Sequence, residues 1–174
     1  DTDTSGCLLL AAGVLGLGAV GLGPCLGARV VGIANSPVRM EMAQRMGAHA
    51  CYMSDDPDLS EKLDTFTHGE GIDLVILTAN PWPAFRTACQ IVRVNGRVGV
   101  VSLPGRGEPP LDFNPLDMRW FYSKGVSLIA INGKAGYLYP PEQGDRRQWE
   151  TMCRFTLDQM KEGKLELQKD IQFI

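Results

Sequence analysis

Residues 8–36, L-L-L-A-A-G-V-L-G-L-G-A-V-G-L-G-P-C-L-G-A-R-V-V-G-I-A-N-S, decide how the rest of the chain is read. An apolar run, read as a buried strand, leads into Gly16-Leu17-Gly18-Ala19-Val20-Gly21, which has the spacing G-x-G-x-x-G. That spacing predicts a glycine-rich turn whose amides face a pyrophosphate, followed by a helix and a second strand over Gly27–Ile33. The first glycine allows a tight turn, the second lets backbone approach phosphate, and the third lets the helix pack close to the strand. The second strand ends at Ala34-Asn35-Ser36, where an adenine ribose would lie. A chain with 20 glycines produces such spacings by chance, so the flanking strands carry the reading.

The 174 residues, 44% hydrophobic and 21% charged, suit one soluble domain with one sizeable core. Seventeen basic against 20 acidic residues give a net charge of −3, too balanced for nucleic acid or an anionic membrane to be the main partner. Five cysteines, an odd number without a C-x-x-C pair, read as reduced thiols in a cytoplasmic protein. The chain opens on Asp1-Thr2-Asp3-Thr4 without an initiator Met or a basic leader. This suggests a single excised domain over 1–174. Residues 6–28 carry no charged side chain, but their glycines and Pro24 make a poor membrane helix.

Further along, Ser36-Pro37 starts a helix that runs to Met46 and stops at Gly47. Val38, Met42, Ala43 and Met46 share its inner face. Strands are expected over Ala50–Met53, Ile72–Thr78, Arg97–Leu103 and Val126–Ile131, and helices over Leu59–Phe66 and Ala84–Val94, with Asn95-Gly96 a turn. Four prolines, at 104, 109, 110 and 115, mark a loop, followed by a short helical segment near Leu116–Tyr122. A long polar connection, Asn132–Asp145, precedes an amphipathic helix with Trp149, Met152, Cys153, Leu157 and Met160 on one stripe. This alternation predicts an α/β fold, a doubly wound parallel sheet of about six strands with helices on both faces. A ligand then sits at the carboxyl ends of the strands, among Gly16–Gly21, Ala34–Ser36, Thr78–Asn80 and Leu103–Gly105.

Taken together, G-L-G-A-V-G, G-A-R-V-V-G-I, A-Q-R-M-G-A, G-I-D-L-V-I, N-G-R-V-G-V-V-S and P-L-D-M-R-W-F-Y-S-K resemble the Rossmann-type coenzyme domain of the zinc-type medium-chain alcohol dehydrogenase superfamily. The resemblance implies hydride transfer between a nicotinamide dinucleotide and a small alcohol or carbonyl substrate. It also implies a homodimer joined at the sixth strand, and a catalytic zinc on a separate domain that this stretch lacks. The cofactor-binding residues it points to are Gly16, Gly18, Ala19, Val20, Gly21, Ala34, Asn35, Ser36, Arg39, Thr78, Asn80 and Leu103. Where NAD-preferring members carry an Asp after the second strand, this chain has Ala34, with Asn35, Ser36 and Arg39 to receive a 2′-phosphate, so NADP is favoured over NAD. Only five residues separate Gly21 from Gly27, which means either a truncated first helix or a junction between segments.

Other residues read as ordinary. Cys7 lies near the place of a zinc ligand but lacks partners at ligand spacing. His49 and His68 have no neighbouring nucleophile, and Asp55-Asp56 reads as a solvated turn. Tyr122 and Lys124 are too close in sequence for a reductase dyad. Asn80 and Asn132 stand where a nicotinamide amide would be reached. Two rival readings stay open, a zinc-independent quinone or enoyl reductase domain and a noncatalytic nucleotide-sensing or scaffold module.

Overall fold

The computed structural model describes residues 6–10, 14–131 and 146–166. Six parallel strands form one sheet: β1 (Gly6–Leu10), β2 (Arg29–Ala34), β3 (Ala50–Met53), β4 (Ile72–Leu77), β5 (Val92–Val100) and β6 (Ser127–Ala130). Their order is β3-β2-β1-β4-β5-β6. The chain therefore winds outward from β1 to β3, then crosses to β4 on the other side of β1. The switch point between β1 and β4 is where this topology opens a crevice at the carboxyl ends of the strands.

Helices α1 (Val14–Cys25) and α2 (Pro37–Arg45) pack with Leu165 into one core, in which Val20 and Val30 are fully buried. Helices α3 (Leu59–Thr67) and α4 (Trp82–Ile91) take part in the other core, with Leu63, Phe85 and Ala88 against Val31, Ile33, Val75 and Leu77. The period of two along β2 divides its side chains between these cores, Val30 on one side and Val31 and Ile33 on the other. A fifth helix, α5 (Arg146–Lys161), ends at Gly163, φ +68°.

The expected glycine turn is corrected. Gly16–Gly21 lies inside α1, and the first strand is Gly6–Leu10, earlier in the chain. The short Gly21–Gly27 interval thus needs neither a truncated helix nor a junction. The 12 residues of α1 span about 18 Å, and Gly27 (φ +80°) closes the helix, with Ala28 N donating to Gly23 O at 3.1 Å. Gly21 and Gly23 are there for close packing. A Cβ on Gly23 would lie 2.4 Å from Val30 Cγ2, and one on Gly21 would lie 2.6 Å from Leu165 Cδ1.

Other expectations hold with shifts. Ser36 caps α2, its hydroxyl accepting from Arg39 N, and Pro37 is the first helical residue. Ala43 and Met46 are buried, whereas Val38 is exposed. Asn95-Gly96 is a bulge within β5 rather than a turn before it. The register against β4 shifts between Ile72 and Leu74, Asn95 takes φ +58°, and its amide donates to Lys124 O at 2.6 Å. The segment before β6 is a single π-helical turn, Met118–Tyr122, capped by the Asp117 carboxylate on Trp120 N.

The stripe on α5 is not buried, since Met152, Cys153 and Leu157 are exposed. Trp149's side chain and the polar connection 132–145 lie outside the described residues. Among the described residues no helix is long and apolar enough to cross a membrane.

Candidate functional site

The carboxyl ends of β1, β2, β4 and β5 come together at one edge of the sheet, beside the N-termini of α1, α2 and α4. Each strand-to-helix connection brings a helix start to this edge, and the positive end of a helix dipole favours an anion there.

At the end of β2, Ala34 is buried, and its carbonyl accepts from Ser54 N at 2.8 Å. No carboxylate stands at this position. Arg39, one turn into α2, donates from Nη1 to Asn35 Oδ1 at 2.5 Å, while its backbone amide donates to Ser36 Oγ at 3.4 Å. The structure thus gathers Asn35, Ser36 and Arg39 into one exposed corner with a fixed positive charge. The acidic turn after β3 is engaged elsewhere. Asp56 is paired with Lys62 at 2.5 Å and accepts from Asp58 N, and these contacts, the Lys62 ammonium foremost, hold its carboxyl below the usual range.

At the β1 end, Gly16 is buried in the first turn of α1. Ala19, Val20 and Gly21 lie further along the helix. Val20 is in the core, Ala19 packs against that core, and Gly21 faces Leu165 and Met46. Gly18 has nothing within 4 Å of where a Cβ would stand. A helix interior replaces the expected turn, so the connection after β1 falls on Ala11-Ala12-Gly13, outside the described residues. A sequence signal for this existed. A-x-G-x-x-G over Ala11–Gly16 has the fingerprint spacing with its first glycine replaced, and it leaves room for a full crossover helix.

On the other side of the switch point, the ends of β4 and β5 are tied together. Leu77 O accepts from Val101 N at 2.9 Å, Ala79 O from Ser102 Oγ at 2.7 Å, and Asn80 O from Gly105 N at 2.6 Å. Thr78 is half-buried, Asn80 exposed, and Leu103 65% exposed at this edge. A groove of about 480 Å³ between α3 and α4 reaches Ile72 and Ile91, at the end of the sheet where β4 begins. It lies away from the crevice.

The residues set aside in the sequence have structural work. His49 Nδ1 accepts from Val30 N at 3.0 Å, and His68 closes α3 in the left-handed region at φ 56°. Lys124 turns its ammonium to the carbonyls of Cys89, Gln90 and Val92 at 3.1, 2.7 and 2.9 Å, around the C-terminal end of α4. Burial pushes the Cys89 thiol up to about 11, against the nearby Lys124 charge, and burial lowers Lys124 in turn. Lys124's role went unread because that helix end is distant in sequence. Among the described residues no three His, Cys, Asp or Glu side chains converge to hold a metal ion, so this set does not fit a zinc site. Cys7 pairs through its backbone with Val30 and Leu74 in β1.

With this geometry in place, comparison with known proteins gives a consistent result. A family model described as zinc-binding dehydrogenase matches residues 14–153. Sorbitol dehydrogenase of Bacillus subtilis (strain 168) is 29% identical over 134 residues, covering 67% of this chain and 38% of that protein. L-threonine 3-dehydrogenase of Bacillus velezensis is 33% identical over 127 residues, covering 72% and 35%. The chain thus spans little more than a third of the length of these relatives. Among solved structures, CurA in complex with NADPH from Vibrio vulnificus superposes with a TM-score of 0.74 at 18% identity, covering 95% of this chain and 48% of that one. Alcohol dehydrogenase TADH from Thermus sp. ATN1 gives 0.63 at 24% identity, covering 73% and 35%. At these identities the likeness is one of fold.

Proposed function

This chain belongs to the zinc-binding dehydrogenase family, and we propose that it is the part that holds the nicotinamide dinucleotide, with NADP(H) preferred to NAD(H). The whole protein is then a cytoplasmic oxidoreductase that moves hydride between that cofactor and a small alcohol or carbonyl compound. The observation that carries the cofactor preference is the corner at the end of β2. Ala34 offers no carboxylate to repel a 2′-phosphate, and Arg39, steadied by Asn35, offers a guanidinium to it.

In this reading the pyrophosphate lies at the start of α1 near Gly16, and Ser36 joins Asn35 and Arg39 around the adenosine ribose. Thr78, Asn80 and Leu103, at the ends of β4 and β5, line the nicotinamide half. These groups bind and orient the cofactor and keep water from its reactive face. The zinc that the family resemblance implies would be held by a separate catalytic domain rather than by the residues of this one. The same reading makes the protein a homodimer through β6, which forms one edge of the sheet and leaves Ile129 43% exposed there, with Met118 and Tyr122 exposed on the preceding turn.

Titration with NADPH and NADH, followed by nicotinamide fluorescence, tests the preference. Tighter binding of NADPH is expected, with Arg39→Ala weakening it about tenfold and leaving NADH unchanged. Tighter binding of NADH overturns the preference, and binding of neither overturns the cofactor reading. Sedimentation of the chain at rising concentration tests the dimer.

A further inference from the structure

The loop that follows β5 is clasped to α4 by side chains distant in sequence. Helix α4 begins Pro81-Trp82-Pro83, and Pro81 as the capping residue offers no side-chain acceptor. Both prolines lack an N–H, so Trp82 carries the first backbone donor of the helix. The Glu108 carboxylate, carried by the loop, accepts that donor at 2.7 Å. The Trp82 indole donates to Pro109 O at 2.9 Å. Farther along α4, Arg86 pairs with Asp112 at 2.6 Å and lies 4.7 Å from the Phe113 ring centre.

This clasp shapes the wall of the crevice. The Trp82 ring lies so close over Gly105 that a Cβ there would be 2.0 Å from its carbons, and Gly105 sits at φ +71°. Gly105 N is in turn bound to Asn80 O. The Leu103–Gly105 backbone, beside the ends of β4 and β5, is thereby held from two sides. A carboxylate at the N-terminus of α4 is favourable in itself, so one group caps the helix and anchors the loop.

We propose that Glu108 and Trp82 are positioning residues for the nicotinamide end of the cofactor. They fix Leu103–Gly105 in its binding shape before the ligand arrives. The inference rests on the cofactor reading above, and it concerns only the β4–β6 half of the crevice. Releasing the loop lowers affinity by the fraction of time it spends out of shape. An adenosine-half ligand, which reaches only β1–β3, is indifferent to it.

The test uses the full chain and the variants Glu108→Ala, Glu108→Gln and Trp82→Phe. NADPH binding is read from nicotinamide fluorescence and adenosine 2′,5′-bisphosphate binding by calorimetry, with NADH and ADP run alongside. Glu108→Ala is expected to weaken dinucleotide binding about five- to tenfold while leaving the adenosine-half ligand within about twofold. Glu108→Gln, which keeps an acceptor oxygen for Trp82 N, restores the affinity. Trp82→Phe, which keeps a ring over Gly105 but loses the bond to Pro109, falls between them. Equal weakening of both ligands by Glu108→Ala, or no weakening of either, overturns the latch and leaves the cofactor reading standing. A wild-type chain that binds neither the dinucleotides nor their adenosine halves overturns both.

Discussion

On the face of the sheet covered by α3 and α4, Phe85, Leu59 and Leu63 fill the space over Val31, Ile33, Val75 and Leu77 with bulky side chains. On the face covered by α1 and α2 the contact is made where side chains are missing. Gly23 lets α1 approach Val30, Gly21 lets it approach Met46 and Leu165, and Gly32 lets β2 approach Ala43 and Cys51. The two cores bury their residues equally well by opposite means. A bulky core tolerates changes that keep its volume, whereas a backbone-close core has no room for one extra methyl.

Phe85→Ala should have the largest effect, because it empties the middle of the bulky core. A loss of about 3–5 kcal/mol in urea unfolding is expected. A loss below about 1 kcal/mol would mean that the core collapses around the hole. Next comes Gly23→Ala. Alanine gains about 1 kcal/mol as a helix former, but its Cβ would stand 2.4 Å from Val30 Cγ2. Net destabilisation of about 1–3 kcal/mol is expected from that overlap. A variant as stable as the parent would dissolve the contrast between the faces.

Burial holds the Cys89 thiol up at about 11, above its value in an unfolded chain, so the folded state keeps this proton longer. Stability from this group is complete below about 8.5 and drains away as pH rises towards the folded value. Lys124 acts in the opposite sense, since its lowered value makes the folded state release a proton earlier. Cys89→Ala should therefore lose less stability between pH 7 and pH 10 than the parent, read as the shift in urea midpoint. An unchanged shift would remove the thiol from the account.

The smallest effect is expected at Gly18, where a Cβ meets open space. Gly18→Ala should stabilise α1 by about 0.5–1 kcal/mol and leave NADPH binding untouched. Lost affinity would return Gly18 to the cofactor site assigned to it from the sequence.

These glycines also show where the sequence misled. Gly16, Gly18 and Gly21 have the spacing of a phosphate turn, yet all three lie in α1, where Gly21 and Gly23 permit close packing and Gly18 meets open space. Residues 16–21 taken alone cannot separate the two uses, because the atoms that meet Gly21 and Gly23 belong to Val30, Met46 and Leu165; the earlier spacing over Ala11–Gly16 was the local signal for the helix. Asn95-Gly96 misled in the same way, since a turn pair and a bulge pair share the need for a positive φ at Asn95. The corner at Ala34, Asn35, Ser36 and Arg39 was legible, because a strand end, a cap and one helical turn place those residues by local geometry alone. Glu108 on Trp82 and Lys124 on the end of α4 were not, as each contact joins residues distant in sequence.

The sequence by itself determined the alternation of strand and helix, the Ser36-Pro37 start of α2, the buried run of β4 and the absence of a carboxylate at Ala34. Each of these follows from propensity, capping chemistry or periodicity within a few residues. Only the tertiary structure decided which glycines turn the chain and which let backbones touch. It also decided that Met152, Cys153 and Leu157 on α5 stay exposed and what holds the loop beyond β5 against α4. Those outcomes depend on distances between segments far apart in the chain, and short-range preferences carry no information about them.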